Sequence, residues 1–315
     1  MNKEFTGFLY GLCAYSLWGV LPIYWKQFPN VDSLEVLCHR IIWGFAFVAA
    51  LLFFDGTLLR IVRELKPQVW KRLILSGSCI GSNWLVYIWA VQSGHIVDAS
   101  LGYFISPLVM ASIGVFVLKE RLKKLQKAAI FIASIGVVWL TLSLGQIPWI
   151  GLWLAFTFSI YSLVRKTTKI SSLGGLFIET FFLLLPTLSY LVYLHTQNSL
   201  RFLNGGYSMD LLLVGCGLAT ALPLWWFAHA ATRMRLASLG LMQYIAPILQ
   251  FLIGVLVYEE VFSTDHLMGF SMIWLGLILY VSDQARGLIG KHSALVTVEA
   301  LKNPLKSSDP EHETS

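Results

Sequence analysis

Charge is what this sequence has least of. Only 13% of its 315 residues are Asp, Glu, Lys or Arg, against 57% hydrophobic residues. A water-soluble domain carries about 25–35% charged residues on its surface. This chain cannot cover itself in that way, which excludes an ordinary soluble protein and points to lipid as its solvent. Cysteine is scarce as well. Cys13, Cys38, Cys79 and Cys216 all lie in apolar stretches and form no CxxC pair. Neither a disulfide framework, a metal site nor a thiol redox centre is expected, and no cofactor is implied. The phosphate-binding loop of an ATPase is missing, because "GLIG" at Gly287 has neither its lysine nor its spacing. No ring of repeated charges and no carbonyl-rich filter suggests a channel. No water-facing cluster of acids, bases and nucleophiles suggests an enzyme.

Long apolar runs and aromatics are abundant instead, with 12 Trp and 20 Phe. A helix needs roughly 20 apolar residues to cross a bilayer. Runs of about that size occur near 6–25, 32–54, 69–92, 98–118, 125–143, 148–165, 171–194, 208–229, 235–258 and 264–283, with the fifth and sixth the shortest. The first run is long, aromatic and without a small-residue cleavage site, so a cleavable signal peptide is not expected. The segment 285–315 is polar, ends in "KSSDPEHETS" and is expected to be disordered.

The basic residues test this division. Of the 23, all but Lys26, Arg40 and Arg201 fall on one side of the alternating spans. The positive-inside rule makes that side cytoplasmic and places both termini there. The net charge of +6 therefore reads as loops meeting anionic lipid headgroups, not as a nucleic-acid patch.

One stretch is written twice. "SPLVMASIGVFVLKERL" (Ser106–Leu122) returns as "APILQFLIGVLVYEEVF" (Ala246–Phe262), so that Pro107, Gly114 and Glu120 recur as Pro247, Gly254 and Glu260 at an offset of 140. Gly11 and Lys26 recur as Gly151 and Lys166 at the same offset. The bases around Glu120 are absent around Glu260, as expected if the second copy faces the other way. The fold class expected is an all-α integral membrane protein of ten transmembrane helices in two inverted five-helix repeats. The repeats are residues 1–143 and 144–284, followed by the tail 285–315. Inverted repeats supply two equivalent arrangements open to opposite sides, the basis of alternating access. A non-transporting scaffold or receptor on the same duplicated fold is the alternative.

Polar residues inside the spans are the candidates for function. Arg40 and Glu179 lie in matched spans at an offset of 139. Each is roughly 12 Å along its helix from the nearer membrane surface at 1.5 Å per residue. A charge at that depth marks an ion pair, a proton-linked carboxylate or a structural clamp. Glu35 and His39 share a helix face, and His39 has a proton-sensing imidazole. Asp98 opens the fourth span, where it can cap free N–H groups. Asn83, Tyr87, Gln92, Tyr103, Ser106, His229, Gln243, Tyr244 and Gln250 are candidate lining residues of a substrate cavity. Their aromatic setting suits an amphipathic solute. Pro22, Pro107, Pro223 and Pro247 are candidate hinges, because each removes an N–H donor from its helix.

"CAYSLWGVLPIYWK" (Cys13–Lys26), "EVLCHRIIW" (Glu35–Trp43), "SLGYFISPLV" (Ser100–Val109), "KERL" (Lys119–Leu122) and "RLASLGLMQYIAP" (Arg235–Pro247) together resemble the EamA-type branch of the drug/metabolite transporter superfamily. The resemblance spans about Phe8 to Asp283. It implies ten helices with both termini cytoplasmic in a bacterial inner membrane. A central cavity would be lined by spans 1, 3, 4, 6, 8 and 9. The function implied is transport of a small metabolite or drug-like solute, in the export direction, with protons as a possible coupling ion. Close relatives usually carry asparagine where Ser106 stands and often another near Met110, and this chain has neither amide.

Overall fold

A computed structural model of the chain describes residues 3–63, 67–119, 122–168, 170–231, 233 and 242–302. Among the described residues there is no strand. The helices are α1 (Lys3–Trp25), α2 (Ser33–Phe54), a short α3 (Leu58–Arg63), α4 (Pro67–Gln92), α5 (Ile96–Leu118), α6 (Lys124–Ser143), α7 (Trp149–Thr167), α8 (Ser172–Thr196), α9 (Tyr207–Ala231), α10 (Ile245–Leu252) and α11 (Thr264–Lys302). A π-helical turn, Ile253–Val257, continues α10. Eight of these helices contain a segment long and apolar enough to cross a membrane, while Trp149–Arg165 and Ile245–Val257 are shorter apolar helices.

Local chemistry explains the ends. Asp32 caps α2 by accepting from the Leu34 amide at 2.8 Å, and Ser171 caps α8 through the Gly174 amide at 3.1 Å. Gly94 at φ +79° and Gly145 at φ +66° turn the chain after α4 and α6, in a backbone region that favours glycine. The expected cap of α5 differs. Asp98 lies inside the first turn and contacts His95 at 3.2 Å. The free amides of Ile96 and Val97 go instead to the two carboxylate oxygens of Glu260, each at 2.8 Å. A carboxylate favours a helix N-terminus because free N–H groups and the helix dipole both point at it. Glu260 therefore follows its own helix but serves another. Its sequence counterpart, Glu120, lies outside the described residues.

Packing fits a lipid solvent. Phe54, Phe116, Leu142, Leu185 and Val261 are exposed on the outside of the bundle, where an aqueous protein would place charge. The start of α2 is buried without interruption from Glu35 to Ile41, so this helix runs through the interior. Basic residues also join helices: Arg72 donates to the Thr167 carbonyl at 3.0 Å, and Lys123 pairs with Asp283 at 3.2 Å.

The principal packed pairs are α6 with α11, α2 with α8, α5 with α10, α5 with α7, α1 with α10, α4 with α7, α1 with α9, α2 with α9 and α4 with α8. Exchanging α1, α2, α4, α5 and α6 for α7 to α11, in order, maps this set onto itself. The first three pairs map onto themselves and the other six exchange in twos. No half stands alone as a body, because each helix of the first five packs chiefly on the second five.

Two features depart from expectation. The ninth run is broken, with a turn at Gln243 and Tyr244 before α10 begins. The last helix runs on to Lys302, so residues 285–302 of the polar tail are helical, while 303–315 lie outside the described residues.

Candidate functional site

Arg40 is 5% exposed and lies in the interior of α2. Its guanidinium carbon sits 4.1 Å from the ring centre of Trp84 on α4 and 5.1 Å from that of Trp25 at the end of α1. These are cation–π distances. Nε and Nη1 of Arg40 are buried and have no hydrogen-bond partner among the described residues. The Tyr87 hydroxyl and the Trp25 indole N–H are buried without a partner in the same way. Burial acts most strongly on the guanidinium, followed by Tyr103, Tyr87 and Cys216, and no carboxylate is among these groups.

Beside this cage is a network that is satisfied. Asn83 stands one turn before Tyr87 on α4, which puts both on one face. Its amide nitrogen donates to the Leu154 carbonyl and the Thr157 hydroxyl of α7, both at 2.9 Å. Its oxygen faces the Tyr103 hydroxyl at 3.4 Å. The rings of Tyr87 and Tyr103 meet edge to face at 5.8 Å. The structure thus brings together Arg40, Asn83, Tyr87 and Tyr103 from three helices.

Glu179 forms a second buried charge site. It is fully buried and accepts from the Ser76 hydroxyl at 2.5 Å. Arg165 Nε lies 3.8 Å away, with a side chain only 13% exposed. Arg165 reads from sequence as a loop charge; in the fold it turns inward from the last turn of α7 toward α8. An Arg40–Glu179 ion pair is not formed: Arg40 stacks on tryptophans and Glu179 has Arg165.

The two sites correspond. At the repeat offset of 139 or 140, Arg40 matches Glu179, Trp25 matches Arg165, and Cys216 matches Ser76. One half has an ion pair where the other has a cation on an aromatic ring.

Most other candidates hold the fold. Glu35 accepts from the amides of Arg201 and Phe202 at 2.8 and 3.1 Å, fixing the α8–α9 loop. His39 accepts from Trp43 Nε1 at 3.2 Å and lies 4.7 Å from the Phe202 ring. Gln92 donates to the carbonyls of Phe28 and Val31 at 3.2 and 3.3 Å and accepts from Ser33, tying the α1–α2 loop to α4. Ser106 donates to its own helix at Gly102 O, 2.7 Å away. Gln250 donates to the Trp18 carbonyl at 3.2 Å. His229 stacks on Tyr10 at 5.2 Å and meets Arg233 Nη1 at 3.0 Å, away from the Arg40 cage. Gln243 and Tyr244 form the turn before α10, and Tyr244 packs on the α5, α6 and α11 cluster. Pro22, Pro107 and Pro223 lie inside continuous helices, as does Pro186, which sequence reasoning passed over. Pro247 instead sits in the first turn of α10, where its missing N–H has no intrahelical acceptor to satisfy.

The sequence pattern of the EamA-like transporter family matches residues 5–142. Protein RarD of Streptomyces exfoliatus is 41% identical over 288 residues, covering 90% of this chain and 91% of its own. The chain belongs to the EamA-like transporter family. An uncharacterized transporter of Vibrio cholerae is 38% identical over 91% of this chain and 95% of its own length. A solved crystal structure shares the fold at a TM-score of 0.57 and 21% identity, over 88% of this chain and 97% of that one. At that identity the likeness speaks for the fold alone. Membership makes the chain a multi-pass membrane protein of the drug/metabolite transporter superfamily, in a family of transporters and not of enzymes.

Arg165, Trp25 and Ser76 are not among the residues the sequence singles out. The signal that finds them is the repeat offset: once Arg40 and Glu179 are matched, their neighbours are matched too.

Proposed function

We propose that this chain is a secondary transporter that moves a small metabolite or drug-like solute across the bacterial inner membrane. Ten helices cross the membrane, with α7 and the α10–π segment completing the eight longer spans. They form two inverted five-helix repeats, both termini are cytoplasmic, and transport runs by alternating access in the export direction. One observation carries this reading: the set of packed helix pairs maps onto itself when the two groups of five exchange. A bundle built that way has a mirror arrangement of similar energy, so small shifts can expose the interior to either side. The family match over 5–142, close to the expected repeat boundary at 143, supports the same division. Basic loops against anionic lipid headgroups hold the cytoplasmic end. Protons couple to transport through the buried carboxylate of Glu179.

The test is flux. Purified protein in sealed vesicles should show saturable, gradient-driven movement of at least one solute from a broad metabolite panel. An imposed pH gradient should change its rate. A protein correctly inserted in both orientations that moves no solute of the panel would sink the reading and leave the scaffold.

A further inference from the structure

The two matched charge sites differ in one respect that bears on the substrate. Glu179 has a cation, Arg165, at the position matched to Trp25. Arg40 has Trp25 there, and its charge meets no carboxylate among the described residues. A buried guanidinium in a bilayer interior is costly without an anion, and ring quadrupoles replace only part of what water or a carboxylate supplies. Around it every unmet group can donate: Arg40 Nε and Nη1, the Trp25 indole N–H and the Tyr87 hydroxyl, which alone can also accept. A cluster in which donors predominate matches an acceptor-rich ligand. Planar guanidinium suits a two-oxygen acid group in particular.

We propose that the Arg40 cage, with Trp25, Trp84 and Tyr87, is a recognition subsite for an organic monocarboxylate with a flat apolar body. The charge count selects one negative charge. A single guanidinium among neutral groups balances a carboxylate, whereas a phosphate dianion would leave a net charge in a medium where charge is penalised. The apolar body packs beside Trp84 and Trp25, whose rings hold the guanidinium, and the Tyr87 hydroxyl donates to the second carboxylate oxygen. The cage is closed to solvent, so loading requires the opening that alternating access provides. The proposal therefore rests on the transporter reading.

The experiment measures binding by titration calorimetry on the purified full chain in detergent. The probes are 3-phenylpropionate, 2-naphthoate and hexanoate, each beside its primary amide, with phenyl phosphate as the dianion. The expected result is a carboxylate preference of about tenfold or more over the matching amide, the scale of a lost charge-assisted hydrogen bond. The aromatic acids should bind more tightly than hexanoate, and phenyl phosphate more weakly. Arg40→Gln should erase the preference. Tyr87→Phe removes one unpaired hydroxyl and keeps the ring, and should weaken carboxylate binding about three- to tenfold while leaving the amides unchanged. Equal binding of acid and amide in every pair, or no binding of any acid, overturns the subsite. Flux measurements separate this from the broader reading. Flux of neutral or cationic solutes without a carboxylate preference keeps transport and removes the subsite. Carboxylate preference without flux of any solute keeps the subsite and removes transport.

Discussion

Gln250 donates from its side-chain amide to the backbone carbonyl of Trp18 at 3.2 Å, across 232 residues of sequence. That carbonyl is the one Pro22 leaves unserved. Proline has no N–H, so the carbonyl four residues earlier loses its helical donor. In a lipid-embedded bundle no water replaces it, and a neighbouring helix must. A residue that reads from sequence as a cavity candidate thus repairs a proline in another helix.

This relation predicts coupling between two distant substitutions. Gln250→Leu should lower stability by about 1–3 kcal/mol, the cost of leaving a buried acceptor unmet. In a Pro22→Ala background the helix supplies its own donor, so the same Gln250→Leu change should cost far less. Thermal unfolding in detergent over the double-mutant cycle measures the difference. Additive effects would show that the contact does not serve that carbonyl.

The cap on α5 predicts a charge effect on stability. Glu260→Gln retains one good acceptor for the Ile96 and Val97 amides, and Glu260→Ala retains none. Losses of about 0.5–2 kcal/mol are expected, larger for alanine. Unfolding temperatures that rank the two variants the other way would remove Glu260 from this role.

The seam between α5 and α7 depends on Gly102. A Cβ at that position would lie 2.7 Å from the Gly151 carbonyl and 2.9 Å from Leu154 Cβ. Backbone cannot yield as a side chain can, so Gly102→Ala must part the helices, at about 1–3 kcal/mol. Cross-linking of cysteine pairs placed along the seam should slow in the variant. Unchanged cross-linking and an unchanged unfolding temperature would mean that the helices meet elsewhere.

Glu179 and Arg165 should separate folding from coupling. Glu179→Gln keeps the hydrogen bond to Ser76 and removes the titratable group, so flux should persist and lose its response to a pH gradient. Arg165→Gln leaves a buried carboxylate without its cation and should destabilise the protein by about 3–5 kcal/mol. A pH response that survives in Glu179→Gln assigns proton coupling to another group.

The matched prolines should act unequally. Pro107 lies within the continuous α5, whereas Pro247 follows the turn at Gln243 and Tyr244. Alanine at 247 removes a bar to continuing the helix across that turn and should slow exchange between states more than alanine at 107. Broken helices of this kind are where transporters place movement. Spectroscopic distance distributions between labelled helices would report the exchange, and equal rates in the two variants would argue against a hinge at α10.

Much of the architecture is legible in one dimension. Apolar runs of bilayer length, the one-sided placement of basic residues and the recurrence of Pro107, Gly114 and Glu120 as Pro247, Gly254 and Glu260 are all properties of spacing. Spacing reports what solvent a segment meets and whether a unit is repeated. The break at Gln243 and Tyr244 was hidden, because an apolar run has the same composition whether its helix is continuous or interrupted.

Composition and spacing alone establish that this protein lives in lipid, that it is helical, and that its two parts share a pattern. What each buried polar residue is for follows from packing. Gln92 and Gln250 look like lining groups and Glu35 like a coupling charge, and each is committed to backbone from a distant segment. Arg165 looks like a loop charge and is the neighbour of Glu179. Arg40 looks like half of an ion pair and is stacked between two tryptophans with donors to spare. The physical reason is that a hydrogen bond or an ion pair needs two partners within about 3–4 Å. Separation along the chain carries no information about that distance until the helices have packed.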